Sequence, residues 1–405
     1  MDKRDLEQQK AIQALTTDKR VVLNWATSMG KGTAAVKFIK TLPETSKILI
    51  VVAETAHKKN WKDEFIKFNA EQYLSCCTII CYASLHKQIN TKWNLIIFDE
   101  VHHLSSDKRL NAMSTLSSER VLALSATLNN YKVNVGLRQT FGTFTYLKVN
   151  IDDAIKGNML PEPKIFLIPL ELDTKNQNQI ITIEWGKETK RQEIHCNYDE
   201  RWKYMTNKGL FTDVKLIVHC TERQKCSYLE ENINYYGERY KRTPHPMTRL
   251  KWLRFGSERK RFMGSIKTQK AKQLASHLVN KKFICFCTDI NQADEIGGKH
   301  AIHSKNRNSA NLLEDFNNNK IHDIYVVGML TEGQNLTGIQ AGIIIQIDGV
   351  LRPFIQKLGR AMRADYPIQY VFYIKNTKDE AYKDNALEGI DPQYITETTL
   401  EELLK

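Results

Sequence analysis

At 405 residues, with 41% apolar and 26% charged side chains, the sequence has enough apolar content for two or three domains with cores of their own, and its composition is not that of a disordered chain. The opening MDKRDLEQQKAIQAL is charged and glutamine-rich without an apolar stretch, and runs such as ILIVVA and AGIIIQI fall far short of the roughly 20 residues of a membrane helix. The expectation is a cytoplasmic protein with no membrane partner. The formal net charge of +13 is uneven: residues 239–272 hold twelve Lys or Arg against the single acid Glu258, which points to a polyanionic partner. The eight cysteines lie in strand-like contexts such as SCCTIICY and FICFCT, so reduced core thiols are expected. His195, Cys196, His219, Cys220 and Cys226 contain no Cys-x-x-Cys pair, which disfavours a zinc site.

In chain order, RVVLNW, KILIVVA, CTIICY, WNLIIFDE and RVLALSAT read as buried strands, separated by segments of helical spacing such as HKKNWKDEFIKF. Residues 170–265 are polar, aromatic-rich and basic, with a weaker strand signal. The alternation then returns, with KFICFCT, DIYVVGM, AGIIIQID and QYVFYI as strands and NSANLLEDFNNN and PFIQKLGRAMR as helices. The pattern predicts an α/β protein with two parallel-sheet domains, at 1–165 and 270–380. Between them lies a basic insertion, 166–269, and after them an acidic tail, 381–405.

WATSMGKGTAAV follows the first strand and opens a helix, the context of a phosphate-binding loop: helix-start amides and the helix dipole both favour an anion. Gly30 allows close backbone approach to phosphates and Lys31 supplies charge to their outer oxygens. Gly32 stands where such loops commonly carry a hydroxyl that holds magnesium. About 70 residues on, LIIFDEVHHL places Asp99 and Glu100 at another strand end. Asp99 suits a magnesium ion and Glu100 suits the activation of a water, so nucleotide hydrolysis with Mg2+ is the leading chemistry.

Taken together and in order, these motifs resemble the superfamily 2 helicases and translocases of the DExH type, with an overall style like compact bacteriophage-encoded helicases and restriction-enzyme motor domains. The resemblance covers about residues 4–375 and implies two RecA-like domains in tandem. It makes Gln8 an adenine contact and Thr27, Ser28, Met29, Gly30, Lys31, Gly32 and Thr33 the nucleotide loop. It makes His102, Ser125, Thr127, Glu332, Gly333 and Gln356 coupling residues. Arg360 and Arg363, in QKLGRAMR, lie three apart on one helix face and are implied to reach the phosphates from the second domain. Backbone grips on a nucleic-acid strand are implied for Thr55, Ser84, Thr288, Ser304 and Thr331.

Arg259, Lys260 and Arg261 are candidate phosphate contacts within the basic insertion, where Tyr240, Trp252, Phe255 and Phe262 are interleaved with the charges and some rings are expected in the core. The expectation is a monomeric ATP-dependent helicase or translocase acting on nucleic acid, DNA with a single-stranded region foremost. Two alternatives stand beside it: an RNA helicase, and a nucleic-acid clamp or switch whose ATPase is weak, for which Gly32 is the best argument.

Overall fold

The computed structural model describes residues 2–89, 91–126, 128, 130–187, 191–207, 210–328, 336–347 and 367–405. Strands β1 (Arg20–Trp25), β2 (Ile48–Val52), β3 (Cys77–Cys81), β4 (Lys92–Phe98), β5 (Ser117–Ser125) and β6 (Thr145–Val149) form a parallel sheet in the order β3-β2-β4-β5-β1-β6. Every residue of β2 is buried, as are the last four of β4. Such continuous apolar runs belong to parallel sheets covered on both faces.

After β7 (Lys164–Leu170) come β8 (Gln179–Trp185), β9 (Gln192–Asn197) and β10 (Val214–Cys220), a separate sheet with β10 at its centre, antiparallel to β8 and parallel to β9. Here burial alternates along β10, so one face packs and the other stays open. The alternation turns His195 and Cys196 to opposite faces, and likewise His219 and Cys220. The two imidazoles meet outside, Nδ1 of His195 lying 3.1 Å from Nε2 of His219, while both thiols are buried. No metal-binding cluster occurs among the described residues.

The second parallel sheet contains β11 (Phe283–Phe286), β12 (Ala301–Ile302), β13 (Asp323–Val326), β14 (Ala341–Ile344), β15 (Ile368–Ile374) and β16 (Ile395–Glu397), in the order β12-β13-β11-β14-β15-β7-β16. This corrects two expected boundaries. The division at 165/166 falls within β7, and the acidic tail supplies β16 and a short helix, Leu400–Leu403, whose Leu400 is buried in the same core as Phe372. No described helix is long and apolar enough to cross a membrane.

From the small sheet the chain enters a two-helix arm, Glu222–Arg242 and Pro246–His277. Thr221 and Gln224 form a capping box at its start, and His245 with Pro246 in the first turn begins the second helix. The rings interleaved with the charges include ones that zip the two helices together. Tyr236 stacks on Phe255 with centroids 5.6 Å apart and Tyr240 on Trp252 at 6.1 Å, while Phe262 is buried. Gly237 makes room, since a Cβ there would lie 3.1 Å from Trp252 Nε1.

The basic run is also corrected in part. Arg259 is buried, donates from Nε to Glu230 Oε1 at 3.0 Å and lies over the Tyr382 ring, so it braces the arm instead of presenting charge. Lys267 is fully buried and donates to Asp379 Oδ2 at 2.6 Å and Gln346 Oε1 at 2.8 Å. The second carboxylate oxygen of Asp379 accepts from Gln346 Nε2 at 2.9 Å, closing the network that seats the arm on the second sheet. Lys270 meets Glu401 at 2.7 Å. Lys260 is half-buried, and Arg261 with Lys241, Arg242, Arg249, Lys251 and Arg254 is exposed.

Removing one partner of a buried ion pair strands the other charge, a cost of about 3–5 kcal/mol, whereas replacing both by apolar groups is often close to neutral. Lys267→Met is therefore expected to lower stability by that amount in denaturant melts, and Lys267→Met with Asp379→Leu to recover most of it. Equal losses in the single and double variants would show that the pair is not the element that seats the arm.

Candidate functional site

The first sheet gathers its loops at the carboxyl ends of adjacent strands, where parallel sheets bind ligands. The loop after β1 has two residues in the left-handed region, Ser28 at φ 71° and Gly30 at φ 82°. This turns successive amides toward one side and forms a cradle for an anion at the start of the helix Lys31–Ile39. Ser28 holds that conformation at a cost of about 1–2 kcal/mol relative to a right-handed residue, which is why a glycine is favoured there. Met29 is buried and anchors the loop, and Thr27 is half-buried. Lys31 Nζ donates to the Trp25 carbonyl at 3.0 Å, back along its own loop.

Gln8 is buried against this loop, so close that a Cβ on Gly30 would fall 2.6 Å from its Nε2. Its Oε1 accepts from Lys37 Nζ at 2.8 Å. Thr33 Oγ1 donates to Glu64 Oε1 at 2.6 Å and Gly32 has no side chain to offer.

Asp99 and Glu100 follow β4, two strands along from β1. Asp99 Oδ2 accepts from Trp61 Nε1 at 2.9 Å, and its backbone carbonyl accepts from the Tyr82 hydroxyl at 2.9 Å. Glu100 is left-handed, φ 48°, which swings the chain into a short turn carrying His102. His102 Nδ1 lies 3.3 Å from Glu100 Oε2 and 3.4 Å from the buried Ser125 Oγ at the end of β5. The structure thus brings together Glu100, His102 and Ser125.

Electrostatics mark the place as one suited to a cation. Burial, and then the neighbouring Glu100, push the Asp99 carboxyl up, against the opposing pull of Trp61, His57 and Lys31. Burial draws the Lys31 ammonium down while Glu100 and Asp99 hold it up. A divalent ion would relieve the crowding of the two carboxylates, and a polyphosphate would give Lys31 a partner better than a carbonyl. The residues present therefore fit Mg2+ and ATP, with Asp99 as the metal carboxylate. Trp25 Nε1 and His57 Nε2 are buried beside this machinery without a hydrogen-bond partner among the described residues.

The candidate strand contacts also sit at carboxyl ends. Thr55 begins the helix Thr55–Lys67 just after β2, Ser84 lies in a short turn after β3, and Ser304 is exposed after β12. Thr288 follows β11 but departs from its expected role. Its hydroxyl is buried against Gly264 of the arm without a hydrogen-bond partner among the described residues, and its amide donates to Gln292 Oε1 at 2.7 Å. Thr127, Thr331, Glu332, Gly333, Gln356, Arg360 and Arg363 lie outside the described residues.

Sequence reasoning did not single out His57, Trp61 and Glu64. Their spacing of four and then three on one helix was the available signal, since it aligns them on a single face toward the nucleotide loop.

Residues 3–130 match the family described as type III restriction enzyme, res subunit. Over 132 residues, 30% of its length, the chain is 30% identical to the DNA 3'-5' translocase XPB2 of Sulfurisphaera tokodaii, and the match spans 30% of that relative. Among solved structures, S. cerevisiae Dbp5 bound to RNA and ADP BeF3 superposes with a TM-score of 0.58 and 10% identity, covering 98% of this chain and 91% of that one. The Pyrococcus furiosus Hef helicase domain gives a TM-score of 0.46 and 12% identity, covering 94% and 96%. The two parallel sheets share the fold of the Dbp5 structure, and the sequence of residues 3–130 is similar to the restriction-enzyme res subunits and to the XPB2 translocase.

Proposed function

We propose that the protein is an ATP-driven motor that moves along or opens nucleic acid, with DNA containing a single-stranded region as its substrate. The observation that carries this reading is the convergence of Lys31, Asp99 and Glu100 at the carboxyl ends of strands two apart in the sheet, with Glu100 tied through His102 to Ser125. The amides of residues 28–31 cradle the phosphates and Lys31 offsets their charge. Glu100 holds the attacking water and accepts its proton. Magnesium, when bound at Asp99, supplies charge neutralisation on the phosphate oxygens.

His102 and Ser125 relay a change at Glu100 toward β5 and the segment beyond it. Arg360 and Arg363 serve the transition state from the second domain, by resemblance of QKLGRAMR. The activity in the relative's name, DNA 3'-5' translocase, supports DNA over RNA. A cytoplasmic setting suits cysteines that form no disulfide among the described residues. The exposed cations of the arm give it a sequence-independent hold on phosphates.

Lys31→Ala and Glu100→Gln are each expected to abolish ATP hydrolysis, measured with and without single-stranded DNA. Lys31→Ala should also weaken ATP binding, whereas Glu100→Gln should bind ATP and stay closed on it. Arg360→Ala should lower turnover by about 1,000-fold with far less effect on ATP binding. Full hydrolysis in the Lys31 or Glu100 variant would sink the motor reading, and wild-type protein that binds ATP and DNA without hydrolysis would favour the clamp, the reading to which Gly32 lends itself.

The arm is tested without its structural arginine. Lys260→Ala with Arg261→Ala, in a chain that keeps Arg259, should weaken DNA binding at all sequences alike. It should also flatten the salt dependence by up to about 0.9 log unit for each phosphate that the arm no longer holds. Basal ATPase should survive. An unchanged salt slope would leave DNA engagement to the motor loops alone.

A further inference from the structure

The helix Thr55–Lys67 touches both halves of the nucleotide machinery. Trp61 reaches Asp99 through its indole N–H, 2.9 Å from Oδ2, and Glu64 one turn later accepts from Thr33 Oγ1 at 2.6 Å. Trp61 is buried and Glu64 half-buried, so neither bond is a chance surface contact. Hydrogen bonds to ionised carboxylates are among the stronger ones in proteins.

Gly32 gives the second bond its meaning. A glycine in the first turn of a helix loses more freedom on ordering than any other residue, and the missing hydroxyl removes a fixed point between loop and metal. The Glu64 stem runs directly past it: a Cβ on Gly32 would lie 3.9 Å from Glu64 Cγ, in ordinary contact. The neighbouring helix thus takes hold of Thr33, the next residue, instead.

We propose that Trp61 and Glu64 are positioning residues of the ATPase site: Trp61 fixes one oxygen of Asp99 so that the other faces the metal, and Glu64, through Thr33, fixes the helix start that Gly32 leaves loose. This rests on the motor reading above. It also makes one rigid helix common to both events, since the same element begins at Thr55, an expected grip on the nucleic-acid backbone. A push on that end is transmitted to the metal carboxylate and to the phosphate loop together.

The test uses the full chain and two readouts, equilibrium binding of a fluorescent ATP analogue and the magnesium dependence of hydrolysis with a single-stranded oligonucleotide. Trp61→Phe keeps the ring and loses the N–H. It should raise the half-saturating magnesium concentration several-fold and lower turnover about tenfold, while analogue affinity in excess magnesium changes by less than about twofold. Thr33→Val and Glu64→Ala should each weaken analogue binding by about three- to fivefold, and the double variant no further, because both remove one bond. Glu64→Gln retains an acceptor for Thr33 and should rescue most of the loss.

Wild-type magnesium dependence in Trp61→Phe would reduce Trp61 to packing and overturn its role. Additive losses for Thr33 and Glu64, or a magnesium shift in Glu64→Gln as large as that of Trp61→Phe, would overturn the tie and make Glu64 a metal-side carboxylate. Wild-type protein that hydrolyses no ATP would instead defeat the motor reading, and the analogue-binding cycle would still decide whether the Thr33–Glu64 tie exists.

Discussion

Two adjacent carboxylates at the end of a buried strand repel each other, and the first domain is arranged to keep them there. Asp99 and Glu100 follow four buried apolar residues, so the chain cannot carry them out to solvent without pulling β4 from the middle of the sheet. Their mutual charge and their burial both push the Asp99 carboxyl up. The groups that oppose this come from two places around the pair, Trp61 and His57 from the helix after β2 and Lys31 from the loop after β1, while His102, in the turn that the left-handed Glu100 creates, faces Glu100. A parallel sheet delivers all of these to one edge without further device, because each strand ends where its neighbours end. What would complete the set is a small multivalent cation, which settles the charge that side chains only partly offset.

Charge is used differently in the arm. A run of cations with one acid reads as a surface for polyanions, and its exposed members retain that meaning. Arg259 and Lys267 have instead been drawn inward by Glu230 and Asp379, and Lys270 is paired with Glu401 at the surface. A fully buried lysine is tolerated because Asp379, Gln346 and the Phe372 carbonyl together satisfy its three protons. Such a network adds little net stability over an apolar alternative, but it allows only one seating of a helix 32 residues long. The arm thereby becomes part of the second sheet's body while cations such as Lys241, Arg242, Arg249 and Lys251 stay exposed toward its tip.

What could be read from the sequence follows from the range of the interactions concerned. The phosphate loop, the Asp-Glu pair and the strands that carry them are local: buried strands announce themselves by apolar runs, and each motif lies within a few residues of a strand end. The partners of the arm are not local. Glu230 lies 29 residues from Arg259, and Asp379 lies 112 from Lys267. Nothing in the run itself distinguishes the cation that will find an acid from the one that will not. The same holds for the sheet edges: β7 and β16 pair across more than 200 residues, so the acidic tail showed its composition but not its place. The aromatic residues were legible as a helical stripe, and their pairing across the hairpin needed the other helix.

Gly32 brings the local and the distant together. Read alone, a phosphate loop without its hydroxyl is a damaged loop, and the only repair visible in the sequence is a water molecule filling out the magnesium shell. The fold adds a second repair that no local pattern contains. Thr33 donates to Glu64, and the helix bearing Glu64 also bears Trp61, which holds Asp99. Loss of one ligand is thereby offset by tighter placement of another, since a carboxylate already held in one orientation gives up less freedom when an ion binds. On the proposal above, the glycine marks a site whose rigidity is supplied from the neighbouring helix, and that helix begins at Thr55, one of the places where a nucleic-acid strand is expected to lie.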